Sequence, residues 1–540
     1  MSLKKKSKKI TLYYLHSGVC AAFFLTVVVL AGCSGAKRNP DFNPAELRVA
    51  LPGVISNLSV NREAGDINYY AAALCQEGLV GISNEGKMAP ALAESWKVLE
   101  NGTKYVFTIR RNAVFQNGVP LQIEDLIFSM EKAGDKDFSP SSYQYFPSDS
   151  IKSIEKTGDY EITVTLFSPN VSFLWALSNA GGLLVTSKSF AEKAGSYGSP
   201  KDLIIGTGPY KPVEFTPSYV IYEAVSTWWG GQVPFKKIKL DFIEDANTRL
   251  LAFREGRIDF AFNIPIDHAA QWRKVKGATV SFIYNRAYTG ITIDPTVEPF
   301  DDIHVRRAIA HSINKIDIVE GLLKGSGQAA VAIPAPEQFA SAMNSDEALK
   351  KLQEVFNYDY SPETALQEIK ASKTPNGFKT RLVYPDANKD DAGRISLNLV
   401  NALKPLGIEL EVGEITLDQW VNEVGNGEQG MAWMIFSPTT ADPGEITNWL
   451  LDAQGPGYNP ANWTNEEAAN LTKASQEAYS INEQINYIIR ANSIAQEEAV
   501  YIPIFWKQSV VAFAKGVGAQ DYNSYTLSSV WPLAFTKSLN

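Results

Sequence analysis

Hydrophobic and polar positions follow two periods along this chain, and segments with one period alternate with segments with the other. Period-two alternation with β-branched residues predicts strands at Leu47–Pro52, Tyr105–Asn112 and Glu161–Phe167. Apolar stripes at helical spacing predict a helix within Asp66–Val80, with Asp66 as the cap and Gly78 as the stop, and a second helix at Gln122–Gly134. The alternation continues without an internal repeat. This succession predicts an α/β protein.

The carboxyl-terminal part of the chain is richer in predicted helix. Val305–Leu323 has helical periodicity, and Glu483–Phe505 reads as a helix that leads into a strand. Between them, the apolar run Met431–Phe436 predicts a strand that breaks into the polar loop "SPTTADP". Trp433 in that strand is predicted to lie in the core, and Asp442 is placed to cap the next helix, with a proline in its first turn.

The first 32 residues have the pattern of an export signal. Lysines cluster between Lys4 and Lys9, and the apolar run Val19–Leu30 is shorter than the ~20 residues that a spanning helix needs. The run ends in Leu-Ala-Gly-Cys, which resembles the lipobox of bacterial lipoproteins. That resemblance implies that residues 1–32 are removed and that Cys33 carries the lipid anchor. The alternative is an uncleaved signal anchor.

Cleavage would leave Cys75 as the one free thiol, so no intramolecular disulfide is expected. Cys75 lies on an apolar helical stripe and is predicted to be buried. The removed segment carries five lysines and no acid, so the formal net charge would change from −9 to −14. This acidic balance argues against nucleic acid as a partner. Residues 33–44 are polar and predict a flexible tether.

Motifs for catalysis, phosphate binding and metal binding are incomplete. Gly81–Met88 has the spacing of a phosphate-binding loop, but Met88 replaces the required hydroxyl residue, so we interpret it as a turn. Asp386–Gly393 begins like a calcium loop but lacks its glycine and glutamate, so we interpret it as a solvated turn. The mature histidines His268, His304 and His311 are isolated. The sequence predicts no enzyme, no cofactor and no metal site.

Several motifs, in order, resemble family 5 of the extracellular solute-binding proteins, the peptide, nickel and oligosaccharide receptors of ABC importers. The most specific segment, Leu92–Lys132, combines Glu-Ser-Trp, an Asn-Gly turn, Phe-x-Ile-Arg and Glu-Asp-Leu. The resemblance spans nearly the whole mature chain. Its other segments are Gly206–Tyr210, Trp228–Gly231, Arg254–Phe262, Pro299–Lys315 and Tyr501–Trp506.

The resemblance implies a two-lobed α/β fold of the type II periplasmic-binding-protein class, which closes over its ligand like a hinged jaw. The chain is expected to cross between lobes near 285–294 and 504–509. The expected units are a signal peptide at 1–32, a tether at 33–44, a first lobe at 45–85 with 200–295 and 508–540, an extra subdomain of that lobe at 86–199, and a second lobe at 296–507.

The family also implies the function. We expect a monomeric, non-enzymatic receptor that captures a peptide or related polar solute outside the cell membrane and delivers it to an ABC permease and ATPase. The alternatives are a sensory peptide-binding surface lipoprotein and a receptor for an oligosaccharide or metal chelate. Membrane contact is expected through the N-terminal lipid alone.

The polar loop departs from the peptide-binding pattern of the family. Peptide-binding members carry an aspartate there that pairs with the free amine of the peptide, and alignment places Thr439 at that position. A buried cation without a partner is costly, so a linear peptide with a free amine is disfavoured unless a carboxylate from another segment substitutes. We predict ligand contacts from Phe436, Thr439, Thr440 and Asp442, and from Tyr288 on an expected lobe crossing.

Overall fold

The computed structural model describes residues 43–425, 430–452, 459–526 and 529–537. The predicted signal peptide, Cys33 and most of the predicted tether lie outside the described residues. The strands are β1 Glu46–Leu51, β2 Val80–Ile82, β3 Met88–Pro90, β4 Ala93–Leu99, β5 Lys104–Ile109, β6 Ile151–Gly158, β7 Glu161–Leu166, β8 Tyr210–Phe215, β9 Tyr219–Ala224, β10 Lys237–Phe242, β11 Phe260–Ala261, β12 Thr279–Ile293, β13 Gly327–Ala329, β14 Lys379–Pro385, β15 Glu409–Ile415, β16 Met431–Phe436, β17 Tyr501–Phe513, β18 Val517–Ala519 and β19 Phe535–Lys537.

The helices cover and connect these strands. They are α1 Asp66–Cys75, α2 Ile123–Ala133, α3 Phe173–Ala176, α4 Lys188–Ala191, α5 Ala246–Arg254, α6 Ala269–Trp272, α7 Ile303–His311, α8 Lys315–Asp317, α9 Ser345–Leu352, α10 Pro362–Ala371, α11 Arg394–Leu403, α12 Leu417–Gly425, α13 Pro443–Leu451, α14 Glu466–Gln476 and α15 Ile481–Glu497. Of the helices described, none is long and apolar enough to cross a membrane.

One large mixed sheet runs through both lobes, in the order β15-β14-β16-β12-β17-β11-β1-β10-β9-β8, with β13 beside β17. The long antiparallel strands β12 and β17 stand in the middle of this order. Parallel strands flank them on each side, since β1 pairs with β10 and β11, and β14 pairs with β15 and β16. The two lobes are therefore joined through one pair of strands.

A separate four-stranded antiparallel sheet, β4-β5-β7-β6, builds the extra subdomain. Its inner side chains, including Phe107, Ile162 and Val164, pack against Leu126 of α2 in a core of their own. Fully buried and partly buried positions alternate along β5, which confirms the strand predicted from sequence. The helix predicted at Gln122–Gly134 is confirmed as α2, which ends at Gly134.

The two lobes have separate hydrophobic cores. Cys75 is fully buried in the first, beside Leu47 and Trp531, as predicted. Trp433 is fully buried in the second, where its indole N–H donates to the Ser396 hydroxyl at 2.7 Å, so its predicted core position is also confirmed. The turn predicted within Gly81–Met88 is the hairpin connection between β2 and β3.

Two sequence-based interpretations need correction. The helical periodicity of Val305–Leu323 is interrupted. Helix α7 is followed by a break and a short irregular helical stretch, because Asn314 caps a new turn with its side chain. The segment Asp386–Gly393 is not a solvated turn but two short helical turns that continue into α11. Its Asp391 side chain is mostly buried.

Candidate ligand-binding cleft

The pairing of β12 with β17 is interrupted near the middle of both strands. Tyr284 pairs with Gln508, but the next pair is Tyr288 with Trp506, so β12 uses four positions where β17 uses two. Such a bulge bends the strand and re-aims its side chains. Asn285–Ala287 lie in this bulge, within the residues expected to cross between lobes, and the lobe boundaries themselves stay a prediction.

Two adjoining cavities lie at the bulge, where the first turn of α1 and the loop after β16 approach the two strands. The small cavity has a volume of about 80 Å³ and the large cavity about 300 Å³. Both are lined by a shared group of mostly polar residues: Asp66, Asn285, Ala287, Ser437 and Ser509. Even without the small cavity, the volume of the large cavity reaches the range of small-molecule sites.

Ionisable side chains surround the large cavity. The Lys507 ammonium pairs with the Asp391 carboxylate at 2.7 Å, and the Arg394 guanidinium lies 4.0 Å from that carboxylate. Asp267 also lines this cavity and is exposed. These groups suit a solute with charged or strongly polar parts.

A buried arginine fixes the loop that borders the small cavity. The Arg286 guanidinium donates to the carbonyl oxygens of Thr439 at 3.3 Å and Ser524 at 3.1 Å, and it stacks over the Tyr525 ring. Burial lowers the pKa of Arg286, while the negative field of Glu445 opposes that shift. The guanidinium thus ties the loop after β16 to the segment near the carboxyl end.

The polar loop after β16 is closed by an internal carboxylate. Glu445, in the first turn of α13, accepts from the backbone N–H groups of Thr439 and Thr440, both at 2.8 Å. It also accepts from both threonine hydroxyls. Burial raises the pKa of Glu445, and the hydrogen bonds from the threonines oppose this. The two predicted threonine hydroxyls therefore point to Glu445, although Thr439 also lines the small cavity.

The other predicted contact residues lie away from the cavity linings. Asp442 caps α13 by accepting from the Gly444 N–H at 2.9 Å and from the Gln484 amide at 3.2 Å, and it is 5% exposed. The Phe436 ring packs on Trp449. Tyr288 is fully buried in a core cluster. Of the five predicted residues, only Thr439 lines either of these two cavities, as far as the described residues show, and the contact roles of all five stay predictions.

Asp66 is the acidic residue common to both cavities. It is the first residue of α1, after the cap residue Gly65, so the sequence located the helix start within one residue. Asp66 is exposed at the cavity walls. The protein packed around the cleft still raises the pKa of Asp66 by disfavouring the charged form, and the positive charges of Lys507 and Arg286 oppose that shift.

Contacts between the two walls close the cleft beside the cavities. The Gln484 amide donates to the Ser172 hydroxyl at 2.9 Å, and the Tyr525 hydroxyl donates to the Glu337 carbonyl. Burial raises the pKa of the Glu337 carboxyl to about 7. These contacts join residues that are remote in sequence, as expected for lobes that meet over a solute.

Sequence reasoning missed most of the cavity residues. Asp66 was interpreted only as a helix cap, and Asp391 only as part of a solvated turn. No role was predicted for Arg286 or Lys507, although both lie in the segments expected to cross between lobes. A usable signal was available, because charged residues are rare in strands as apolar as β17.

The cleft between two α/β lobes that share one sheet defines a solute-binding protein of the hinged-jaw class. Comparison with known proteins agrees. The family model "Bacterial extracellular solute-binding proteins, family 5 Middle" matches residues 87–458. The chain therefore belongs to family 5 of the bacterial extracellular solute-binding proteins, a non-enzymatic family of transport components.

Individual relatives match over most of their length. The chain is 24% identical to heme-binding protein A of Haemophilus influenzae over 77% of this chain and 78% of that protein. It is 22% identical to the glutathione-binding protein GsiB of Escherichia coli over 93% of this chain and 96% of that protein. Among solved structures, the periplasmic binding protein DppA of Helicobacter pylori, in complex with the peptide STSA, superposes with a TM-score of 0.77 at 23% identity, covering 91% and 98%. The last of these is described as an ABC-transporter-associated periplasmic binding protein.

Proposed function

We propose that this chain is the lipid-anchored receptor of an ABC importer and that it captures a peptide or related small polar solute in the two adjoining cavities. Closure of the lobes buries the solute, and the permease recognises the closed form. The observation that carries the proposal is the polar, charged cavity pair at the β12–β17 bulge, between walls that already contact each other.

The cavity chemistry favours a charged solute over a neutral oligosaccharide. Charged side chains from four separate segments line the large cavity, while the hydroxyls of Thr439 and Thr440 are bound to Glu445. Among the described residues, no cluster of three or more His, Cys, Asp or Glu side chains is arranged to hold a metal ion. Two relatives, the glutathione-binding protein GsiB and DppA in complex with the peptide STSA, support a peptide-like solute.

The test is to purify the full chain from its host membrane, denature it and identify released small molecules by mass spectrometry. We expect a stoichiometric polar solute that rebinds to the refolded protein. A protein that releases nothing and binds no solute from a host extract contradicts the receptor function.

The anchor is tested separately. We expect Cys33→Ser to move the chain from the membrane fraction to the soluble extracytoplasmic fraction, and a metabolic label with a fatty-acid analogue to disappear. Cys75→Ser is the matched control, since Cys75 is buried in the first-lobe core. Persistent labelling of the Cys33 variant would refute the anchor.

A further inference from the structure

Four acidic side chains lie at or beside the two cavities, and they differ in what they already bind. Asp391 is paired with Lys507 at 2.7 Å. Asp267 is exposed and lines the large cavity but not the small one. Glu445 binds the polar loop. Asp66 lines both cavities.

Glu445 has no capacity left for a solute. A carboxylate offers about four acceptor positions, and Thr439 and Thr440 supply four donors, two N–H groups and two hydroxyls. A solute amine could use Glu445 only by displacing one of these donors. The carboxylate nearest to the aligned family position is thus committed to the structure of the loop.

Asp66 is in the opposite condition. Within the described part of the chain, its carboxylate accepts no hydrogen bond and forms no ion pair, and Lys507 and Arg286 act on it only through longer-range attraction. The side chain is exposed at the walls of both cavities, so a cationic group of a solute can reach it. Such a group would supply the ion pair that Asp66 lacks among the described residues.

Other residues that line both cavities offer further oxygen acceptors to an ammonium group. An ammonium has three donors, and the residues shared by both cavities add oxygen atoms from Asn285, Ser437 and Ser509 to the Asp66 carboxylate. Asn285 is held in place, because its amide donates to the Ser509 hydroxyl at 2.9 Å and its oxygen accepts from the Ala287 N–H at 2.8 Å.

From this arrangement we infer that Asp66 binds the free ammonium group of the solute and so replaces the carboxylate that is missing at Thr439. The inference rests on the proposed receptor function and narrows its solute class to small molecules with an unblocked amine. It also reverses the expectation, drawn from Thr439 alone, that linear peptides with a free amine are disfavoured. The rest of the solute extends into the large cavity of about 300 Å³.

The experiment compares two panels of probes on the full chain by isothermal titration calorimetry. One panel holds dipeptides and tripeptides with free amines, and the other holds the same peptides with acetylated amines. The same measurement is made on any solute released from the purified protein. The variants are Asp66→Asn, Asp66→Glu and, as a matched control, Asp159→Asn in the exposed turn between β6 and β7.

We expect free-amine probes to bind and their acetylated forms to bind at least about 30-fold more weakly, because only the free ammonium can pair with Asp66 when the lobes enclose it. Asp66→Asn should weaken binding of the free-amine form by a similar factor and leave the acetylated form unchanged. Asp66→Glu should recover part of the affinity, and Asp159→Asn should stay within about twofold. The melting temperature of Asp66→Asn should not fall, since no internal hydrogen bond is lost.

The outcomes separate the two proposals. Equal affinity of Asp66→Asn and wild type for a free-amine solute, or a bound solute that lacks an amine, overturns the role of Asp66 and leaves the receptor function intact. Absence of any released solute together with absence of any binding overturns both.

Discussion

Asp66 and Glu445 occupy equivalent local positions in two regions of the cleft, since each lies in the first turn of a helix that follows a loop. A carboxylate there is favoured by the helix dipole in both cases. The loop before Glu445 turns two threonines back toward it, and all four of their donors are used. The loop before Asp66 ends in Ala64 and Gly65, which have no side-chain donor. The same element of local structure thus gives one structural carboxylate and one that is open to a solute.

The largest effect should come from removing the structural carboxylate. In Glu445→Gln the side-chain amide presents an NH₂ group to donors of Thr439 or Thr440, which leaves buried donors unsatisfied. We expect a loss of about 2 to 3 kcal/mol in the free energy of unfolding, measured by urea denaturation at pH 8. Asp66→Asn is the matched comparison and should change that free energy by less than about 0.5 kcal/mol. Equal losses in both variants would erase the distinction between the two carboxylates.

The second effect tests whether the family's aspartate can be restored. Thr439→Asp would place a second carboxylate beside Glu445, because the Thr439 hydroxyl lies 3.3 Å from a Glu445 oxygen. Like charges at this distance raise each other's pKa. We expect a loss of about 1.5 kcal/mol at pH 8, smaller at pH 5, where one carboxyl takes up a proton.

The double variant Thr439→Asp with Glu445→Gln measures the coupling. Its loss should be smaller than the sum of the two single losses, since the repulsion is absent. Strictly additive losses would show that residue 439 does not face Glu445. Tighter binding of a free-amine peptide by Thr439→Asp alone would show that the amine site lies in the polar loop and not at Asp66.

Sequence reasoning went far for the fold and less far for the cleft, for a physical reason. Strands such as β5 and helices such as α2 are specified by local periodicity, and the α/β class follows from their order. The walls of the two cavities combine Asp66, Arg286, Asp391 and Lys507, which are more than a hundred positions apart in the sequence. They meet at the crossing of β12 and β17. A loop such as that after β16 can be aligned from sequence, but whether a helix residue closes it depends on three-dimensional contact.

A smaller effect concerns pH. The protein packed around the cleft raises the pKa of Asp66 in the folded protein above its unfolded value. The stability contributed by its proton is therefore full below the unfolded pKa and is lost as pH rises through the folded pKa. Without solute, wild type should lose stability relative to Asp66→Asn over that window, by less than about 0.5 kcal/mol, because the side chain is exposed and solvent screens its charge. Binding of a free-amine peptide should change in the opposite sense and strengthen as Asp66 ionises. Parallel pH profiles for the two proteins would refute this.

A gain in the free energy of unfolding is expected at the Tyr288 hydroxyl. Among the described residues, this group lies without a partner in the core, whereas the Asp66 carboxylate faces a cavity. Tyr288 is fully buried, and its hydroxyl has no hydrogen-bond partner among the described residues. Tyr288→Phe should therefore raise the free energy of unfolding by about 1 kcal/mol, because a buried polar group without a partner is removed. Tyr501→Phe is the matched control in the same cluster. The Tyr501 hydroxyl donates to the Leu450 carbonyl at 2.7 Å, so its loss should cost about 1 kcal/mol.

Solute affinity decides what the Tyr288 result means. If Tyr288 acts only in the core, Tyr288→Phe gains stability and leaves the affinity for a free-amine peptide unchanged, whereas Asp66→Asn keeps its stability and loses affinity. A Tyr288→Phe protein that binds its solute tenfold more weakly would make Tyr288 a ligand contact, as its position on the crossing strand first indicated. In that case, Asp66 and Tyr288, which both lack a protein partner among the described residues, would both bind the solute. Tyr288 would reach the solute only after the lobes move, since it does not line either cavity.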